Sequence, residues 1–420
     1  MLPSIGDAQW HLTVENVSAF QGQFYAQGQF LIVHAEIQVA SGPDTGVWIP
    51  MMTPGDWAGP VRYRFVVDTG AGVNSWVFRD TQDPQLTAPA QVHVPSPELA
   101  KKMWERKRKV VCADDWVQPY DRTTLYFGLQ GDMKIEVFQV MTSLKVLQGR
   151  TGVELDRFPL GLTDKFDCRF LTLPFDGLLA MGPCLHTKFD AFRSAPRVGE
   201  SKGFMQALIS DGRIERPIAF FVVRHKIWES ENPKIYNMMS LGGWKTDHNM
   251  QDNHHDFVVV PVDDSVNMQV WNLHLHSISL GNPNRRITIN VNKSVRIDTG
   301  ASQSYLPQES CTTLYRILYE RFGAPGGVES GYAPTNFSDD WVTFVFTRGE
   351  KKYSVGGQMS RFFVSPSRWN GFHTCCVGVN ERNAILGQNF FRTFIVGMED
   401  GMPPTIHLAR QRWIVRPVLP

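Results

Sequence analysis

Two stretches of the chain place a carboxylate in a glycine turn at the end of an apolar strand. Phe65-Val66-Val67-Asp68-Thr69-Gly70-Ala71 recurs as Val295-Arg296-Ile297-Asp298-Thr299-Gly300-Ala301. In each copy the apolar run leads the aspartate inward, and the glycine permits a tight turn and close backbone approach. The carboxylate is then held in place. Two such carboxylates brought together cannot both ionise easily, so they share a proton and titrate as a pair. That arrangement can split an amide with water: the ionised carboxylate takes a proton from the water while the protonated one polarises the scissile carbonyl. No metal, cofactor or covalent intermediate is called for.

A looser repeat follows each turn, Gly177-Leu178-Leu179-Ala180 after the first and Ala384-Ile385-Leu386-Gly387 after the second. Two copies of strand, acidic turn and apolar-apolar-small strand imply two lobes related by an internal two-fold axis. Each threonine, Thr69 and Thr299, is expected to reach across that axis to backbone of the other lobe. A third Asp44-Thr45-Gly46 follows Ser-Gly-Pro rather than an apolar strand and reads as a loop turn.

The rest of the chain must position these turns. With 420 residues, 42% apolar, it can bury one large core or two coupled ones. Short runs rich in β-branched and aromatic residues, broken by 35 Gly and 26 Pro, mark it as all-β. Strands are expected in Phe24 to Val39, Arg62 to Val67, Lys134 to Thr142, Asp256 to Val262, Val270 to Leu280, Arg285 to Ile297 and Asp340 to Phe346. Helices are expected only in Glu98 to Arg108, Gly203 to Ser210 and Ser310 to Phe322. The formal charge of +1 offers no long-range attraction to nucleic acid or acidic membrane. No apolar run is long enough to span a bilayer, and Met1 to Phe20 lacks the pattern of a signal peptide.

At these residues the sequence resembles the pepsin-like aspartic proteases, over nearly its whole length. Asp176 to Gly182 resembles the first-lobe Asp-Gly-Ile-Leu-Gly segment, and Leu241-Gly242-Gly243 the lobe crossover. Trp271 to Leu275 resembles the strand after that crossover, Ser302 to Pro307 the segment after the second turn, and Ala384 to Phe391 the Ile-Leu-Gly-Asp-x-Phe segment near the carboxyl end. The resemblance implies a bilobal β fold, lobe one spanning 1–237 with Asp68 and lobe two 238–420 with Asp298. It implies a hairpin flap at Tyr126-Phe127-Gly128, with Tyr126 as the flap tyrosine and Trp76 as its hydrogen-bond partner. Tyr126, Phe127, Gly128, Trp76 and Ser302 would line the substrate site, with Gly70 and Gly300 beside the substrate backbone. A polypeptide substrate, no metal or other cofactor, no nucleic-acid partner, action as a monomer and a secretory or vesicular location follow from the same likeness.

The departures carry their own expectations. Ala71 and Ala301 stand where most relatives have Ser or Thr; the missing hydroxyl removes a hydrogen bond to the charged carboxylate and moves the expected pH optimum toward neutral. Ala180 replaces a glycine. The family's second-lobe disulfide would use Cys375 or Cys376, with Cys311 the nearest partner, though earlier in the chain than the family places it. No Lys or Arg precedes Arg62, so no inhibitory segment with a lysine against the dyad is expected. The sequons at Asn16, Asn292 and Asn336 can arise by chance, the basic run Lys101 to Lys109 reads as a solvated helix face, and His248, His254, His255, His274 and His276 read as loop and strand surface rather than a zinc site. The segment between Trp76 and Tyr126 has no family counterpart. A pepsin-like module that binds polypeptide without cleaving it is the rival reading; against it, both aspartates, both threonines, both glycines and the flap tyrosine occur together. A capsid-like β protein would leave the repeated turns unexplained.

Overall fold

Apolar, β-branched runs punctuated by turn residues place most of the described residues in strands, with short helices on the flanks. In this computed structural model the described residues are 10–13, 15–18, 29–40, 48–50, 61–88, 94–112, 122–128, 131–148, 151–183, 203–223, 237–244, 257–263, 270–282, 285–327, 331–334, 340–369 and 372–411. The chain divides into two compact units, Met1–Pro217 and Ile218–Pro420. The all-β expectation is met.

In the first unit, β1 (Gln29–Ala40), β2 (Tyr63–Asp68), β3 (Trp76–Phe78), β4 (Arg122–Phe127), β5 (Met133–Gln148), β6 (Thr151–Asp167) and β7 (Gly177–Ala180) belong to one sheet. Their order is β1-β2-β7-β3-β6-β5-β4, and β1 also pairs with β5, so the sheet closes on itself. The enclosed face gathers Trp76, Phe78, Phe166, Phe170 and Phe175, whose rings meet mostly edge to face. Helix α1 (Pro97–Glu105) starts at Ser96, whose Oγ accepts from Leu99 N at 3.3 Å, with proline in the first turn. It buries Trp104, which stacks on Phe166 at 5.4 Å and donates from Nε1 to Thr81 O at 3.1 Å. Much of the segment without a family counterpart is thus fastened to the core.

The basic run after α1 divides between surface and interior. Lys101, Lys102 and Arg106 are exposed, and Lys109 pairs with Asp80 at 3.3 Å over the Trp104 ring. Lys107 is buried: Nζ donates to Leu173 O and to Phe175 O, the latter at 2.8 Å, and faces the Phe78 and Phe175 rings. Burial pulls its ammonium down to about 7, against the attraction of Asp176 and with the repulsion of Arg64. An unfolded lysine titrates near 10.4, so between about pH 7 and 10.4 the unfolded chain binds one proton more than the folded one. Stability from this group therefore rises with pH through that window, and its penalty is complete below it. Relative to Lys107→Met, the wild type should gain roughly 2 kcal/mol between about pH 7 and 9. Parallel stability curves for the two proteins in denaturant titrations would contradict this.

Below Lys107 lies Asp176, whose side chain is 0% exposed. It accepts from Arg64 N at 2.9 Å, Nε at 3.0 Å and the terminal guanidinium nitrogen at 2.7 Å, and from Arg108 N at 3.0 Å. These bonds raise the Arg64 guanidinium above its ordinary value despite burial. They tie β2, four residues before Asp68, to the entrance of β7.

In the second unit, β8 (Ile218–Val222), β9 (Met238–Leu241), β10 (Val258–Pro261), β11 (Asn272–Leu280), β12 (Ile287–Ile297), β13 (Ser304–Leu306), β14 (Trp341–Arg348), β15 (Lys351–Gln358), β16 (Val377–Val379), β17 (Ala384–Leu386), β18 (Phe394–Glu399) and β19 (Thr405–Arg410) form two sheets. One runs β15-β14-β11-β12-β17-β13-β16, and the other includes β9-β8-β18-β19-β10. The division falls ahead of Asn237 because β8 pairs with β9 and β18. Helices α2 (Phe204–Ser210) and α3 (Gln308–Phe322) occupy the other two stretches of helical pattern, α3 ending at Gly323 in the left-handed region.

Candidate active site

Each Asp-Thr-Gly turn hangs at the end of a strand that the sheet pairs on a fixed register. β7 runs parallel to β2 with Leu179 opposite Val67 and Ala180 opposite Asp68. β17 runs parallel to β12 with Ile297 opposite Leu386. The two apolar-apolar-small segments therefore sit at equivalent places beside the two aspartates. Gly70 N donates to Asp68 Oδ1 at 2.8 Å, and Gly300 N to Asp298 Oδ1 at 2.7 Å. Ala301 N adds a bond to Asp298 Oδ1 at 3.2 Å. Amide donors of this kind fix the orientation of the carboxylate. Thr69 and Thr299 are fully buried, Asp298 is 8% exposed and Asp68 half-buried. Ser302 is half-buried just beyond the second turn.

The likeness extends to residues that sequence reading did not single out. After each turn a short strand, β3 or β13, lies antiparallel to β7 or β17 and parallel to a further strand, β6 or β16. Ser75 Oγ accepts from Ala180 N at 2.9 Å; at the matching place Ser304 Oγ accepts from Gly387 N at 3.1 Å. Each serine hydroxyl fixes the strand that flanks its aspartate. The signal was present, a Ser before a large aromatic in both copies, Ser75-Trp76 and Ser304-Tyr305, but offset by one residue relative to the aspartates. Gly182 and Gly387 close each construction: a Cβ on the former would strike the Gly72 backbone, and on the latter Gln303 O.

Strands β4 and β5 form the expected hairpin, pairing Tyr126 with Lys134 and Phe127 with Met133. The expected bond between Tyr126 and Trp76 is not made. Tyr126 is 61% exposed with the Lys134 ammonium 5.6 Å from its ring, whereas Trp76 is fully buried and its Nε1 has no hydrogen-bond partner. Side chains alternate along β4, so it is Phe127 that turns inward, its ring 6.0 Å from Trp76 and 5.6 Å from Phe170. Trp76 is a core residue rather than a lining residue, and Phe127 packs against that core. Gly128, at φ +84°, lies at the hairpin tip. The tip is tethered: Arg169 makes an ion pair with Asp132 and donates to its carbonyl at 2.8 Å, while Asp167 grips the same guanidinium at 2.9 and 2.8 Å. At the other end Asp164 holds Arg122 at 2.6 Å and Arg79 at 3.2 Å; burial works against its charge, but these bonds outweigh it and hold the carboxyl below its ordinary value.

The family model described as eukaryotic aspartyl protease matches residues 150–410, well over half of the chain. The chain belongs to that family. The match takes in Asp176 to Gly182, Asp298 and Ala384 to Phe391, and begins beyond Asp68 and Tyr126. No curated protein matches the chain.

The second-lobe disulfide that the resemblance implies for this aspartyl protease is not formed among the described residues. Cys112, Cys168, Cys311, Cys375 and Cys376 are all buried, and among the described residues no bridge joins Cys311 to Cys375 or Cys376. Cys311 Sγ donates instead to Gly378 O at 3.1 Å, and burial pushes its thiol up to about 11. Of the histidine zone, His276 Nδ1 lies 2.7 Å from Asn292 Oδ1 on neighbouring strands, while His248, His254 and His255 fall outside the described residues, as do Asp44 to Gly46 and Asn336. Among the described residues there is no cluster of three metal-ligating side chains, and no helix long and apolar enough to cross a membrane.

Proposed function

We propose that this aspartyl protease is an endopeptidase in which Asp68 and Asp298 act as a pair on one water molecule. The ionised carboxylate accepts the water's proton, the protonated one polarises the scissile carbonyl, and the hydrated intermediate collapses as the amine leaves with a proton. The single observation that supports this reading most is the doubled construction: two Asp-Thr-Gly turns, each with a glycine amide on Oδ1 and each flanked by a serine-pinned strand. Gly70 and Gly300 would border the backbone of an extended peptide, and Tyr126, exposed near the hairpin tip, would meet its side chains. The working unit is a single chain, its two lobes bringing one aspartate each.

Digestion of an unfolded protein across about pH 3 to 8, with and without a statine-type transition-state mimic, tests the reading. Cleavage that the mimic abolishes is the expected result. With Ala71 and Ala301 supplying no hydroxyl to the carboxylates, the rate should peak nearer neutral than gastric pH. A maximum below about pH 3 would sink the alanine argument. No cleavage at any pH by folded protein, with the mimic still bound, would instead favour a polypeptide-binding module.

A further inference from the structure

We propose that Gln388 is a positioning residue for Asp298, a proposal that rests on the peptidase reading. Gln388 opens the helix α4 (Gln388–Thr393) directly after β17 and is fully buried. Its backbone N–H donates to Ala301 O at 2.8 Å, and its side-chain Nε2 donates to Thr299 O at 3.0 Å. The Thr299 carbonyl and the Gly300 N–H belong to one planar trans peptide and point in opposite directions. The Gly300 N–H is the group that donates to Asp298 Oδ1 at 2.7 Å. Holding the oxygen side of that plane therefore aims its N–H side at the carboxylate. Gln388 acts on Asp298 through a stiff peptide, without touching it.

The clamp is itself braced. Next to it Asn389 accepts from Ser304 Oγ at 2.7 Å and donates to Phe362 O at 2.9 Å and Cys376 O at 3.1 Å, all in the interior. A buried network of this kind resists rotation, because any broken bond leaves a polar group without water. The first turn is built differently. The register that places Ala180 at the position of Gly387 puts Met181 where Gln388 stands, and a thioether offers no donor for the Thr69 carbonyl. At this position the second turn carries a side-chain amide and the first does not.

The test compares wild type, Gln388→Met and Gln388→Glu. The methionine copies the first turn at similar volume; the glutamate donates to Thr299 O only while protonated. Gln388→Met should lower kcat about tenfold with KM unchanged, and move the acid limb of kcat/KM to higher pH as the Gly300 amide swings off the carboxylate. Gln388→Glu should keep activity at acid pH and lose it as pH rises, moving the alkaline limb down. A readout independent of catalysis is available because only four Thr-Gly pairs occur, Thr45-Gly46, Thr69-Gly70, Thr151-Gly152 and Thr299-Gly300. Carbonyl-labelled threonine with nitrogen-labelled glycine isolates their amides by NMR. In Gln388→Met the Gly300 amide proton should move upfield while that of Gly70 stays. Unchanged pH limbs with an unmoved Gly300 signal, or Gly70 moving as much as Gly300, would overturn the proposal. A wild type without peptidase activity would refute the peptidase reading, and the Gly300 signal would still decide the clamp.

Discussion

Asp298→Asn should lower kcat by roughly 10²- to 10⁴-fold with little change in KM, the span that a positioned acid or base contributes. The substitution keeps the shape of the side chain, and a carboxamide oxygen can still accept from Gly300 and Ala301, so the turn has no reason to unfold. What disappears is the ability to take up and release a proton. Asp68→Asn should cost a similar factor, because a pair that shares one proton fails when either member is lost. For the same reason the double variant should be hardly worse than either single one. Kinetics on an unfolded protein substrate, with far-ultraviolet circular dichroism to verify folding, make the comparison. Residual activity within about tenfold of wild type in either single variant would remove the paired-carboxylate reading.

Asp176→Ala should destabilise the first unit by about 3 kcal/mol. Breaking a buried ion pair costs about 3–5 kcal/mol, and the 29% exposure of the Arg64 side chain, which lets water reach the stranded guanidinium, argues for the lower end. The Arg108 amide would also lose its acceptor. For a folding unit of this size that corresponds to a fall in Tm of about 6–12 °C. Asp176 braces β2 upstream of Asp68 and does no chemistry, so the variant should retain near wild-type kcat at low temperature and lose activity on heating with its unfolding curve. Calorimetry beside a temperature series of initial rates separates the two effects. A low-temperature kcat reduced as far as in Asp298→Asn would place Asp176 in the chemistry instead.

Local patterns carried most of what the sequence disclosed. The apolar runs before Asp68 and Asp298 are β2 and the end of β12, and the segments Gly177 to Ala180 and Ala384 to Gly387 occupy matching places beside them. All three helical stretches are helices. What stayed hidden depends on partners far along the chain or on the parity of a strand. The Ser75 hydroxyl meets an amide 105 residues away, and the Gln388 amide meets a carbonyl 89 residues away. Lys107 sits in a run that looks solvated throughout, and only the packing of Phe78 and Phe175 reveals it as interior. Tyr126 and Phe127 are adjacent, so their sequence gives no measure of which one the pleat turns inward; the edge-to-face contact of Phe127 with Trp76 decides it. The place of β8 in the second unit likewise rests on its pairing with β18, remote in sequence.

The tether between Arg169 and Asp132 bears on how selective such an enzyme can be. A hairpin loose at its tip can adapt to many ligands, but it loses conformational freedom each time one binds. Here the tip of β4 and β5 is moored by an arginine that Asp167 already holds, so most of that freedom is lost once, during folding. Preorganisation of this sort favours tight capture of peptides whose shape suits the fixed hairpin and penalises those that would require it to yield. On the peptidase reading, breadth of substrate range would be exchanged for discrimination by a pair of charges rather than by the residues that meet the peptide.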